Sequence, residues 1–362
     1  MKTPIIFFKY IIIGISMFLV VFSCAPKISS TKVTPQNKPI FYPKYADTAR
    51  IQFLRAFSKS TDITPKQSAF KASILGEEMV FEIGKPYGIS MAKGKIYICD
   101  LNSNKIVILD IENKTFNSIQ PTLKKGFAQA INMFVDSEGF IYLANPLQRV
   151  ISVYDVNFNY ITEFGKKVNF RPVDVAVTND KIYVVDIQNN RVNIFDKTTK
   201  AFLSYFPNSV VGNDDWLYSA SAISISNNNI YITDTGDYSL KIYSLKGEFI
   251  KKMGNIGDGL GQFSRPKGNA VDQDDNVYVL DAAFENAQLF NKNGQLLMFF
   301  GGPYKGPGDM YLPAQITIDY DNIHYFEHLV DKRYKLLYLI LVTNQYGPDK
   351  VSVYGRIELK EQ

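Results

Sequence analysis

Cysteine, histidine and tryptophan are nearly absent from this chain, with 2, 2 and 1 copies in 362 residues. Two cysteines in unlike settings, Cys24 and Cys99, build no disulfide framework. There is no Cys-x-x-Cys pair, no haem-attachment motif and no Ser/His/Asp grouping, so the sequence offers no ready-made redox or hydrolytic centre. A large charge of one sign is missing too. The formal net charge is +5, and two of those positive charges, Lys2 and Lys9, fall in a segment read below as removed. No basic stripe appears, which argues against nucleic acid as a partner. What is plentiful is aromatic: 26 Phe and 23 Tyr within 46% hydrophobic residues. That composition favours a packed, strand-rich core. The length suits two average domains or one large repeat domain.

The first residues read as an address. Residues 1–9 form a short basic region, and residues 10–22 are an almost unbroken apolar run. Such a run matches the core of a secretory signal, whereas a bilayer-spanning helix needs roughly 20 residues. It ends in Val21-Phe22-Ser23-Cys24. This resembles the bacterial lipobox, in which a small residue precedes the cysteine that becomes the acylated N-terminus; Phe22 is a mild departure. The resemblance implies a signal peptide over 1–23, lipidation at Cys24 and attachment to a membrane. Residues 24–49 are rich in Pro, Lys, Ser, Thr and Asn with no apolar period, and read as a flexible tether. Ala25 rather than Asp follows the cysteine, and under the proteobacterial-type sorting rule this implies the outer membrane.

A repeat decides the fold. Tyr97, Tyr142, Tyr183, Tyr231 and Tyr278 each sit in a short apolar run, at steps of 45, 41, 48 and 47 residues. Three residues after each stands Asp100, Asn145, Asp186, Asp234 or Asp281. Twelve residues after each stands Leu109, Tyr154, Phe195, Tyr243 or Phe290. Openers such as Lys85-Pro-Tyr-Gly and Arg265-Pro-Lys-Gly precede most units. Four short strands per unit of roughly 40–50 residues is the propeller signature. A sixth unit is disguised: its opener begins near Pro313, and its spaced pair reads as Val342 and Tyr354. About 17 residues are inserted near 321–335, by comparison with the first unit. That unit lacks a fourth strand, and residues 50–57 supply a spare one. The sequence therefore predicts an all-β, six-bladed propeller over 50–362, closed by an N-terminal strand and carrying one short helical insertion in its last blade.

The run from Gly257 to Gly268, followed by Asn276-Val-Tyr-Val-Leu-Asp281 and Gln288-Leu-Phe290, resembles an NHL repeat. The other units match more loosely over residues 83–355. With its lipobox, the whole chain is similar to bacterial NHL-repeat lipoproteins of six blades. The resemblance implies a propeller that binds partners through its loop faces, with no single agreed activity.

Candidate sites are few. His324-Tyr-Phe-Glu327-His328, inside the insertion, matches the H-x-x-E-H pattern of inverted zincins. On a helix the two histidines share a face, with Asp321 and Asp331 one turn beyond, a geometry suited to zinc. The competing reading makes Ile323, Phe326 and Val330 the apolar stripe of a helix packed on the ring, with the histidines on its solvated side. The aspartates at the repeat positions read as structural, because a residue needed once for chemistry has no reason to recur in each blade. Residues 301–308 form a glycine-rich inter-blade loop without the Gly-Lys-Ser/Thr of a P-loop, and Tyr304 and Lys305 there are candidate partner contacts, as are Tyr325 and His328. No cofactor is called for. The sequence points to a non-enzymatic binding or assembly module, anchored through Cys24 in the cell envelope and engaging a protein or other envelope ligand. The rival is a metal-dependent propeller hydrolase or lyase with its site in the central channel.

Overall fold

The computed structural model describes residues 38–44, 49–65, 67–68, 73–74, 76 and 78–360. The expected signal segment 1–23 and Cys24 lie outside the described residues. From Pro39 onward the described chain is one compact unit.

Six antiparallel sheets follow one another along the chain. Blade 1 is Pro86–Ala92, Lys95–Asp100, Lys105–Asp110 and Thr115–Ile119, from inner to outer strand. Blades 2 to 5 repeat the plan over residues 132–164, 172–206, 220–253 and 266–301. Each inner strand lies against the inner strand of the next blade, and the sixth returns to the first, so the sheets form a closed ring. The burial pattern follows from this packing. Second and third strands such as Ile141–Asn145 and Val150–Tyr154 are buried at every position, because a neighbouring blade covers each face. Outer strands face water on one side and are mixed or exposed, as in Phe202–Phe206.

Blade 6 is built from both ends of the chain. Pro313–Asp319, Tyr334–Asn344 and Val351–Leu359 are its first three strands. The fourth is Ile51–Phe57, antiparallel to Val351–Leu359, with Phe53 opposite Tyr354 and Phe57 opposite Val351. The expected ring closure is what the structure shows. The closing blade is buried on both sides: Leu339, Leu341 and Val353 pack with Ile89, Ile98 and Leu109 of blade 1. Ile340, Val342 and Tyr354 pack with Tyr278, Leu280 and Phe300 of blade 5.

Three details differ from the sequence reading. Ile40–Tyr42, placed in the tether, forms a fifth strand on the outer edge of blade 6, pairing Ile40 with Phe53 and Tyr42 with Ile51. Its three consecutive apolar residues suit an edge that is otherwise bare. Second, the spaced pair of blade 6 slips by one residue. Tyr354 pairs with Ile340, so Leu341 rather than Val342 occupies the repeated tyrosine position. The turn after Asn344 is longer than in the other blades, and twelve-residue spacing cannot register that. Third, the insertion is not an α-helix. It consists of two single 3₁₀ turns, Ile323–Tyr325 and Glu327–Leu329, then a rising strand.

Alternating strand direction gives the ring two faces. The upper face carries the loops that join one blade's outer strand to the next blade's inner strand, and the turns between second and third strands. The lower face carries the turns between first and second strands, the insertion among them, and those between third and outer strands.

Candidate functional site

The inner strands converge on a central channel, where a cavity of about 430 Å³ is lined from all six blades. The third residue of each inner strand, or its equivalent, is Gly88, Asn132, Asp174, Ala222, Gly268 or Gln315. Glycine is required at two of these places. A Cβ at Gly88 would lie 2.6 Å from the Asn132 Cα, and one at Gly268 would lie 2.7 Å from the Gln315 Cα. Adjacent strands therefore approach closely enough for the larger side chains to enter the channel.

Asp174 is a buried carboxylate of the channel, 2% exposed. It accepts hydrogen bonds from the Val175 N–H (2.9 Å), the Ile223 N–H (2.9 Å) and the Gln315 side-chain amide (3.2 Å). Gln315 comes from blade 6 and Asp174 from blade 3, three blades away, so this bond spans the ring. Burial outweighs these three donors and raises the carboxyl from its ordinary 3.8 to about 7. Asn132 shares the layer. Its Oδ1 accepts from the Met133 N–H at 3.0 Å, while its buried Nδ2 finds no partner. Sequence reasoning missed both residues: inner-strand position three holds a different residue in most blades, so the repeat gives it no signature.

The insertion clasps blade 6 to blade 1. Phe326 is 1% exposed and packs among Ile89, Met91, Ile96 and Leu336. The Asn322 carboxamide accepts from the Gly94 N–H at 2.7 Å, and its own side-chain amide donates to Asp319 at 2.7 Å. Gln52 ties the far end, donating to the Leu329 carbonyl (2.9 Å) and accepting from the Asp331 N–H (3.0 Å). These contacts leave the candidate metal ligands Asp321, His324, His328 and Asp331 ungrouped. With about three residues per turn in 3₁₀ geometry, His324 and His328 do not stack as an i, i+4 pair on one helical face. Asp331 bonds the Arg333 guanidinium at 2.9 Å instead. Among the described residues no three His, Cys, Asp or Glu side chains are grouped to hold a metal ion.

Of the candidate partner contacts in the insertion, His328 is exposed and Tyr325 is half-buried. The Tyr325 ring lies against Gly94 and 4.0 Å from the His324 ring. With Lys93, Glu112, Asp321 and His324 it lines a groove of about 620 Å³ on the lower face. Tyr304 and Lys305 are elsewhere. They stand on the loop that enters Pro313–Asp319, while the insertion leaves that strand's other end. The two pairs therefore occupy opposite faces, about 20 Å apart across seven strand residues. Tyr304 donates to Asp349 at 3.3 Å, and Lys305 is exposed.

The repeated aspartates do structural work. Each accepts backbone N–H groups from the loop that leads into its own blade: Lys85 to Asp100 (2.7 Å), Arg171 to Asp186 (3.0 Å), Ser219 to Asp234 (2.7 Å) and Ser264 to Asp281 (2.7 Å). In blade 6 Asn344 takes the role, accepting from the Tyr311 N–H at 3.2 Å. Blade 4 adds a cation: Lys241, fully buried, pairs with Asp234 at 3.0 Å and Asp237 at 2.9 Å. Cys99 is fully buried, and burial pushes its thiol well up, so it stays an inert core residue.

The chain is thus a six-bladed β-propeller. A family model described as a 6-bladed beta-propeller matches residues 210–286, from the loop before blade 4 into blade 5. No curated protein matches the chain. Among solved structures it is similar to a structural genomics protein of unknown function from Bacteroides thetaiotaomicron VPI-5482. That match has 14% identity, covers 85% of this chain and 76% of the other, and has a TM-score of 0.56. A gluconolactonase from Xanthomonas campestris is similar at 13% identity, covering 76% and 86%, with a TM-score of 0.53. A virginiamycin B lyase from Staphylococcus aureus is similar at 14% identity, covering 76% and 96%, with a TM-score of 0.51. At these identities the likeness is one of fold.

Proposed function

We propose that this protein is a lipid-anchored, non-enzymatic binding module of the bacterial cell envelope, held at Cys24 on the outer membrane and engaging a protein or other envelope ligand through its loop faces. The NHL-like units support this reading, as does a signal-like leader ending at a lipobox-like cysteine. The observation that carries it is the state of the channel. Its most deeply buried carboxylate, Asp174, is held by three internal donors, one of them reaching from the far side of the ring. The loop faces, by contrast, present exposed side chains on a rigid ring, which is where binding residues concentrate. Photo-crosslinking residues placed at His328, at Tyr304 and, as a control, at Ile161 on an outer strand test this in intact cells. A discrete adduct from one face and none from Ile161 is expected. No adduct from either face, with substrate turnover by the purified protein, would overturn it.

A second reading, an enzyme with its site in the channel, is favoured by one observation. Asp174, with a carboxyl near 7, shares its layer with the unpartnered Asn132 Nδ2. Metal analysis of the purified protein separates the two. One tightly held divalent ion per chain, lost on Asp174→Asn, would favour the enzyme.

A further inference from the structure

Exposed apolar side chains are distributed very unevenly between the two faces. More than half of the large hydrophobic residues exposed among the described residues stand on upper-face loops and turns. They come from the upper loops and turns of five of the six blades: Met79 (73% exposed), Phe127 (57%), Leu147 (69%), Val211 (68%), Leu260 (81%) and Tyr346 (48%). On the lower face the corresponding residues are Phe140 (36%), Val156 (40%) and, at the lower end of blade 6, Leu359 (48%). Isolated exposed apolar residues are ordinary, but a rim of them on one face marks a contact surface. The same face carries a basic flank. Lys124 and Lys125 in the loop entering blade 2, and Lys166, Lys167 and Arg171 in the loop entering blade 3, are exposed, and no carboxylate lies in either loop.

Chain direction supplies the second observation. Ile51–Phe57 rises from the lower to the upper face, since Phe57 pairs with Val351 just after an upper-face turn. Ile40–Tyr42 runs antiparallel to it, so Ile40 stands at the upper end of that edge strand. Ile40 also lies beside Gly308, in the loop between blades 5 and 6, where an added Cβ would stand 3.4 Å from the Ile40 Cγ2. The first described strand thus begins on the side that carries the apolar rim.

We propose that the upper face docks on the lipid bilayer, with its apolar rim in the interfacial layer and its basic flank against anionic headgroups. This rests on the anchored reading given above. A bilayer suits the surface better than a protein partner does, because the apolar residues stand at loop tips spread over five blades instead of gathering in one concave patch. Cations in two loops free of carboxylates complement an anionic membrane. Docking leaves the lower face, with His328 and the groove beside Tyr325, turned away from the membrane and open to a partner.

The test uses the full-length lipoprotein in vesicles of phosphatidylethanolamine and phosphatidylglycerol. An environment-sensitive dye is attached at Leu260→Cys or at Phe140→Cys; buried Cys99 does not compete for it. Docking predicts that nitroxide-bearing lipids quench the dye at 260 several-fold more than at 140, and that aqueous iodide shows the reverse order. Both sites are exposed, so unchanged melting temperatures will confirm the fold. If the protein floats with the vesicles but the two sites quench alike, docking is wrong and the anchor stands. If the unlabelled protein fails to float, both the anchor and the docking fall. Shielding at 260 that appears only in native envelopes, with a protein adduct at that site, would show that the face belongs to a protein partner and would equally overturn the proposal.

Discussion

Asp174→Asn probes the channel directly. The side chain keeps its shape and loses its charge. In the folded protein burial holds the carboxyl at about 7, against 3.8 for an ordinary one. A pKa raised on folding means that the folded state favours the protonated form. Its stabilising contribution is therefore full below about pH 4 and is lost progressively as pH rises through about 7. The gap corresponds to about 4 kcal/mol between the two ends of that window, at about 1.4 kcal/mol for each pH unit. Asparagine cannot ionise, so the variant escapes this loss. Both proteins carry all other titrating groups alike, and those contributions cancel in the difference. The assay is denaturant unfolding of wild type and variant at pH values from 4 to 8. The variant's stability relative to wild type should rise by about 4 kcal/mol across that range, with most of the change complete by pH 7. Parallel curves would show that Asp174 is not a desolvated carboxyl, and the description of the channel would fall with it.

Other perturbations test the ring. Deleting Ile51–Phe57 removes the fourth strand of blade 6 and the partner of Val351–Leu359, and should abolish the cooperative melting transition, whereas deleting residues 25–37 should leave the melting temperature unchanged. Phe326→Ala should cost about 3–5 kcal/mol, because the ring is 1% exposed between blades 6 and 1. His328→Ala, at an exposed position, should stay within about 0.5 kcal/mol; chemical denaturation of both variants gives the comparison. Lys241→Met leaves Asp234 buried without its cation and should cost about 3–5 kcal/mol in the same assay.

The blades were legible because each repeats one physical solution. A buried tyrosine position recurs in five blades and an aspartate that collects loop N–H groups in four, where a second strand turns into a third, and recurrence separates them from background. Where a blade departs from that solution the reading blurred. Asn344 replaces the aspartate, and a longer turn shifts the partner of Tyr354, so the sixth blade was placed one residue out of register. Ile40–Tyr42 was lost in a polar stretch, since three residues are too few to show a period. The insertion was read with α-helical periodicity because Ile323, Phe326 and Val330 are suitably spaced. In the structure Phe326 is the anchor, and the chain is held by side-chain to backbone bonds at Asn322 and Gln52, which leave no periodic trace. The channel residues were illegible for a related reason. Asp174 meets Gln315 across 141 positions of sequence, and no local pattern records that contact.

The anchored reading is tested most directly by mass spectrometry of the N-terminal peptide from protein extracted from membranes. The account predicts a peptide that begins at Cys24 and carries acyl chains, with none recovered from the membranes of a Cys24→Ser strain. A peptide that begins at another residue, or a Cys24 with a free thiol in a protein that still fractionates with membranes, would contradict it.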